Sequence, residues 1–197
     1  REHGALLIID EVQTGFCRTG DFFAVTASGV TPDIMTMGKG IAGGLPFAAF
    51  AMTEALAGAV ELGDHGGTYC GNPLSCAVAA AVVGYLREHQ ISDHVKTLGR
   101  TMLQDLIALQ QVFPDIVCEV RGRGFMLALA LHADDQVWPL TDLCAGHGLM
   151  VTPTRNAVVR LLPGLLLTEA EWQLGLSRLQ AALFELRARL AEQPRCA

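Results

Sequence analysis

The chain has 197 residues, of which 51% are hydrophobic, 17% charged and 6% aromatic, with a formal net charge of −6. That length can bury a core, and the apolar content excludes a disordered, highly charged chain. The acidic balance, with a pI near 5.4, argues against a basic face for nucleic acid.

In chain order, the continuous apolar run Ala5-Leu6-Leu7-Ile8-Ile9 ending at Asp10 predicts a strand buried on both faces. Residues 33–37 and 47–52 predict two more strands, with glycine clusters at Gly38, Gly40, Gly43 and Gly44, then at Gly66, Gly67 and Gly71. Asn72-Pro73 reads as an N-cap followed by proline at the first helical position. The Ala- and Val-rich helix that follows, to about His89, is expected to be buried. Its longest uncharged run, Cys76 to Leu86, is too short to span a bilayer, which takes about 20 apolar residues. These elements make an incomplete α/β sheet.

The second half reads as an α+β module. Val95, Leu98, Met102, Leu106 and Leu109 keep helical spacing, and Pro114 closes that helix. Strands are expected over 116–120 and 125–131, joined by Arg121-Gly122-Arg123-Gly124, then a helix over about 135–147 and a strand pair near 149–152 and 157–162. Thr168 and Glu171 match a capping box. Trp172, Leu176, Leu179, Leu183, Leu186 and Leu190 then line one face of a terminal helix.

Six cysteines (Cys17, Cys70, Cys76, Cys118, Cys144 and Cys196) form no CxxC pair, and the six histidines form no HxxxH or HxH pattern, so no metal site is expected. Most of the cysteines lie in apolar or small-residue stretches. Reduced, buried thiols in a cytoplasmic protein are the reading, and no secretory leader pattern opens the chain, which starts at Arg1 rather than Met.

Lysine is scarce: only Lys39 and Lys96 occur. Lys96 sits on the polar side of an amphipathic helix and reads as a solvated surface charge. Lys39 follows an apolar strand in Met37-Gly38-Lys39-Gly40, and apolar surroundings there would disfavour the charged amine, as a Schiff-base nucleophile requires. A lysine that snorkels out of a glycine-rich turn is the competing reading. Asp10 ends the first strand, and ligands of open α/β sheets bind outside the carboxyl ends of strands. An acid and an amine at that edge suit pyridoxal phosphate, the amine for the aldehyde and the carboxylate for the ring nitrogen. Asp10 as the cap of its own following turn is the alternative.

Three segments carry a resemblance: Leu6-Leu7-Ile8-Ile9-Asp10-Glu11-Val12-Gln13-Thr14-Gly15 with Arg18-Thr19-Gly20, then Asp33-Ile34-Met35-Thr36-Met37-Gly38-Lys39, then His65-Gly66-Gly67-Thr68-Tyr69-Cys70-Gly71-Asn72-Pro73-Leu74. In this order and spacing they resemble the class III (ω-amino acid) aminotransferases, in the acetylornithine, ornithine and 4-aminobutyrate branch, and the likeness covers essentially the whole chain.

The resemblance implies pyridoxal-phosphate-dependent transferase fold type I. Residues 1–88 would be the C-terminal part of the cofactor-binding large domain, and 89–197 the small domain. It implies pyridoxal 5'-phosphate bound as a Schiff base on Lys39, which later shuttles the proton between Cα and C4′. Asp10 would pair with the pyridinium nitrogen, Val12 pack on the ring, and Gln13 lie near its phenolic oxygen. Thr68 would donate to the phosphate, across the interface of a homodimer. Arg160, in Val158-Val159-Arg160-Leu161-Leu162-Pro163, would grip a substrate carboxylate, for which its planar fork is suited; an ion pair with a large-domain carboxylate is its structural alternative. The implied reaction is transfer of an amino group from an ω-amine or α-amino acid to a 2-oxo acid such as 2-oxoglutarate. An aminomutase or decarboxylase on the same scaffold is the nearer alternative. The other is an inactive fragment serving as an interaction module, since family members are about twice this length and the phosphate loop and ring-stacking aromatic lie in the half not seen here.

Overall fold

The structure is a computed structural model that describes residues 2–192. It divides into two compact units, Arg1–Val95 and Lys96–Ala197.

The first unit is built on a three-stranded sheet of order β1-β2-β3. Strand β1 (Ile8–Asp10) pairs in parallel with β2 (Ile34–Met37), and β2 pairs antiparallel with β3 (Ala49–Met52). The register sets Ile8 against Ile34, Ile9 against Met35 and Asp10 against Thr36. After β2 the chain enters a 3-10 turn over Lys39–Ala42, whose Ile41 and Ala42 are buried. A single-turn helix α1 (Glu54–Ala57) follows β3, and α2 (Pro73–Glu88) starts from Asn72, whose Oδ1 accepts the Ser75 N–H at 3.1 Å. The expected cap and N1 proline are therefore where the sequence puts them.

Burial departs from expectation in this unit. Leu6 and Ile8 are 55% and 58% exposed, and Phe50 on β3 is also exposed. Only Ala79 and Leu86 of α2 are buried. The apolar runs do form a strand and a helix, but a run of this kind needs cover on both faces to be buried, and the described residues of this unit cover them only in part.

The second unit carries an antiparallel sheet of order β4-β5-β7-β6. Its strands are β4 (Val117–Arg123), β5 (Met126–Leu131), β6 (Thr152–Thr154) and β7 (Val158–Leu161). Helices α3 (Ile91–Val112), within which the two units divide, α4 (Val137–Gly146) and α5 (Glu169–Glu192) supply the remaining core. Met102, Leu106, Phe113, Phe125, Leu127, Leu129, Leu140, Leu179 and Leu183 are essentially inaccessible. Leu176 and Leu190, expected on the same buried face of α5 as Leu179 and Leu183, are only half-buried. The capping box forms as read: Thr168 N–H donates to Glu171 Oε2 at 2.8 Å, and Glu171 N–H donates back to Thr168 Oγ1 at 3.2 Å. The Thr168 N–H, and with it the Thr168 hydroxyl that donates to the same Oε2 at 2.8 Å, hold the Glu171 carboxyl below the usual carboxylate range. Polar ties from Trp172 and Arg187 are among those that join α5 to its neighbours. Trp172 Nε1 donates to Asp105 Oδ2 at 2.7 Å, and Arg187 grips Asp115 with two hydrogen bonds while lying 4.4 Å above the Phe113 ring.

The cysteines do not share one environment. Cys17 and Cys144 are buried, and burial pushes the Cys144 thiol up to about 11, whereas Cys70 and Cys118 are exposed. Cys196 lies outside the described residues. No described helix is long and apolar enough to cross a membrane.

Helix α3 meets the β4–β5 turn at Gly99, where a Cβ would stand 2.7 Å from the Gly124 backbone. Gly84 in α2 has nothing within 4 Å of its Cβ position. The two positions should therefore respond oppositely to alanine. Gly84→Ala should raise stability by up to about 1 kcal/mol through helix propensity. Gly99→Ala should lower it by about 1–3 kcal/mol through overpacking. Urea unfolding of both variants checks the opposite signs.

Candidate functional site

The first group of predicted residues gathers at the carboxyl ends of β1 and β2. Because these strands run in parallel and in register, Asp10 and Lys39 both emerge at that edge. Asp10 Oδ1 accepts the Val12 N–H at 2.9 Å and the Thr36 hydroxyl at 3.1 Å. The turn-capping alternative for Asp10 is thus correct for one oxygen, while Oδ2 has no partner among the described residues. Lys39 has a left-handed backbone, φ 48°, and of its two readings, enclosed or snorkelling out of the turn, the exposed one describes it in this chain. The 3-10 turn that bears it packs on α2, and a Cβ on Gly43 would come within 3.3 Å of Val82.

Val12 lies against this turn: its Cγ1 is 3.4 Å from where a Gly38 Cβ would stand, and Ala48 Cβ is 3.9 Å from the same point. Gln13, half-buried, is in the turn that leaves β1. Thr68 is exposed in the turn before α2 and lines an open recess of about 590 Å³ with Phe47, Ala48, Cys70 and Asn72. Ala48 therefore borders both the Val12–Gly38 contact and the Thr68 recess. Thr68 itself makes no hydrogen bond to Asp10 or Lys39.

Two residues that sequence reasoning passed over support this edge. Thr36 holds Asp10 through its hydroxyl, and aligning the ends of the two strand runs would have placed it there. Glu11 is 1% exposed; only its position one residue beyond a strand end, with Thr14 three residues on, hinted at an inward side chain.

Arg160 belongs to the second unit. It stands on β7 opposite Ala128 of β5 and Thr152 of β6. It lines a cavity of about 320 Å³ with Met102, Thr152, Pro163, Trp172 and Leu179. Its Nε is buried and has no hydrogen-bond partner among the described residues. A planar donor fork with an unpaired buried N–H beside a cavity can take an anion in two-point contact.

The chain is similar to known proteins along most of its length. Residues 1–183 match the model of the family described as aminotransferase class-III. An acetylornithine aminotransferase from Vibrio cholerae is 41% identical over 187 residues, covering 94% of this chain and 46% of that protein. A crystal structure of an acetylornithine aminotransferase from Elizabethkingia anophelis superposes with a TM-score of 0.88 at 32% identity, over 93% of this chain and 47% of that one. An ornithine aminotransferase from Toxoplasma gondii, with PLP at partial occupancy in its active site, gives a TM-score of 0.92 at 29% identity, over 98% and 46%. The chain spans about half the length of the curated relatives it matches.

An unpaired buried N–H costs stability in the absence of a ligand. Arg160→Met should therefore leave stability unchanged or raise it by up to about 1 kcal/mol. Thermal or urea unfolding checks this; a clear loss would mean that the guanidinium is a structural tie.

Proposed function

The chain belongs to the class III aminotransferase family, and from that premise we propose that it works as part of a pyridoxal-phosphate-dependent aminotransferase. The enzyme would pass an amino group from an amino donor to a 2-oxo acid such as 2-oxoglutarate. Residues 1–88 would contribute to its cofactor-binding domain and residues 89–197 form its small domain. What supports the reading above all is that Asp10 and Lys39 stand at the same end of two strands paired in parallel.

The residues present fit the cofactor. Asp10 keeps one carboxylate oxygen uncommitted while its other oxygen fixes the side chain, which suits a group that must hold a proton on the pyridine nitrogen. Val12 offers a branched apolar surface to a ring face, and Gln13 an amide near the phenolic oxygen. The exposed hydroxyl of Thr68 would donate to the phosphate, and the site would be shared between the subunits of a homodimer. When bound, the cofactor supplies an electron sink for the pair left behind as the substrate Cα loses its proton.

Lys39 Nζ would hold the cofactor's aldehyde carbon and, once substrate replaces it there, take the Cα proton. Its exposure leaves it reachable by both partners in turn. Arg160 would bind the substrate carboxylate, since its unpaired Nε supplies one of the two donors a bidentate contact requires. The acetylornithine aminotransferases among the relatives favour an ornithine-type ω-amine as donor. The uncovered apolar sheet residues favour a second reading, in which this chain alone is an inactive interaction module.

Borohydride reduction with pyridoxal phosphate separates the two readings. Lys39 and Lys96 are the only lysines and both are exposed, so labelling by exposure alone would mark both. Peptide mass mapping should find the pyridoxyl group on Lys39 in clear preference to Lys96. Equal labelling, or none, would favour the inactive module.

A further inference from the structure

Glu11 is the only charged side chain buried among the described residues. Burying a carboxylate is costly unless its oxygens are satisfied. Here Oε1 accepts the Val25 N–H at 2.7 Å and Oε2 accepts the Thr14 hydroxyl. The backbone of the same residue is equally committed. Its N–H donates to the Thr36 carbonyl at 2.9 Å, carrying the β1–β2 ladder one step past Asp10, and its carbonyl accepts the Gly15 N–H at 2.9 Å. At Gly15 a Cβ would stand 2.8 Å from the Glu11 carbonyl oxygen, so the turn closes on Glu11 as tightly as glycine permits. Four hydrogen bonds at one residue thus join the turn 11–15, the end of β2 and the 3-10 helix Ala24–Ser28.

We propose that Glu11 is a positioning residue: its enclosed carboxylate locks the turn that aims Asp10, Val12 and Gln13 at the carboxyl edge of the sheet. This rests on the cofactor reading above. Neighbouring residues of an extended segment point to opposite sides, so Glu11 reaches inward while Asp10 keeps to the edge. Thr36 links them, since its carbonyl takes the Glu11 N–H and its hydroxyl holds the Asp10 carboxylate. A Glu11 displaced from Val25 and Thr14 would carry with it the Val12 N–H that fixes the other side of Asp10.

The test compares Glu11→Ala, Glu11→Gln and Thr14→Val in the full chain. The first readout needs no cofactor. Amide hydrogen exchange at Val12 and Gly15 should quicken in Glu11→Ala and Thr14→Val, while exchange in β3 stays at the wild-type rate. The second is the affinity for pyridoxal phosphate and the pH midpoint of its absorption band. Glu11→Ala should weaken affinity about tenfold, the scale of one lost charge-assisted hydrogen bond, and shift the midpoint toward that of Asp10→Ala. Glu11→Gln, which can still accept from Val25 and pair with the Thr14 hydroxyl, should restore both. Wild-type exchange at Val12 in Thr14→Val would overturn the proposal, as would Glu11→Gln behaving as badly as Glu11→Ala. If wild-type protein binds no pyridoxal phosphate, the cofactor reading falls, and the exchange rates still decide whether Glu11 holds the turn. Should Glu11→Ala fail to fold, Thr14→Val and Glu11→Gln carry the same comparison.

Discussion

The parallel pairing of β1 with β2 is the constraint on which the rest of the first unit depends. Antiparallel strands would send Asp10 and Lys39 to opposite ends of the sheet. Parallel pairing in the observed register sets Asp10 beside Thr36 and leaves Lys39 three residues further along the same direction. The Glu11 N–H extends the ladder to its last rung on the Thr36 carbonyl, and the turn carrying Val12 and Gln13 then leaves from a fixed point. A half-committed carboxylate and a reachable amine at one edge are the consequence.

That edge combines rigid and open parts. Asp10 is tied through one oxygen to Val12 and Thr36, and Phe16, Phe22 and Phe23 pack edge to face, with centroids 5.2–5.7 Å apart, beneath the turn that follows. Lys39, Thr68 and the second oxygen of Asp10 are left without hydrogen-bond partners among the described residues. In the second unit Arg160 is held on a paired strand with its Nε buried and unsatisfied. Groups that the fold positions but does not satisfy are the ones that gain most from a ligand.

Much of this was legible in the sequence, for local reasons. The Asn72-Pro73 start of α2 and the Thr168/Glu171 box are contacts within four residues, so residue types alone decide them. The apolar face of α3 followed from helical spacing, and β5 from the apolar run over 125–131. Burial was not legible to the same degree. Leu6, Ile8 and the alanines of α2 have the composition of covered elements, but cover is supplied by distant parts of a chain, and composition does not say whether those parts are present. Local residues likewise left open whether Lys39 would be enclosed or snorkel out, and in this chain it is exposed. Thr36 and Glu11 went unnoticed because their roles come from strand register and from the path of a turn, which pattern alone does not encode.

Asp10, at the same sheet edge as Lys39, is the residue we propose to keep a proton on the cofactor's ring nitrogen. The most direct measurement is the ¹⁵N chemical shift of ring-labelled pyridoxal phosphate bound to the protein, in wild type and in Asp10→Asn. A protonated shift in wild type that moves to the unprotonated position in Asp10→Asn is the predicted result. An unprotonated nitrogen in wild type, or the same shift in both proteins, would contradict it.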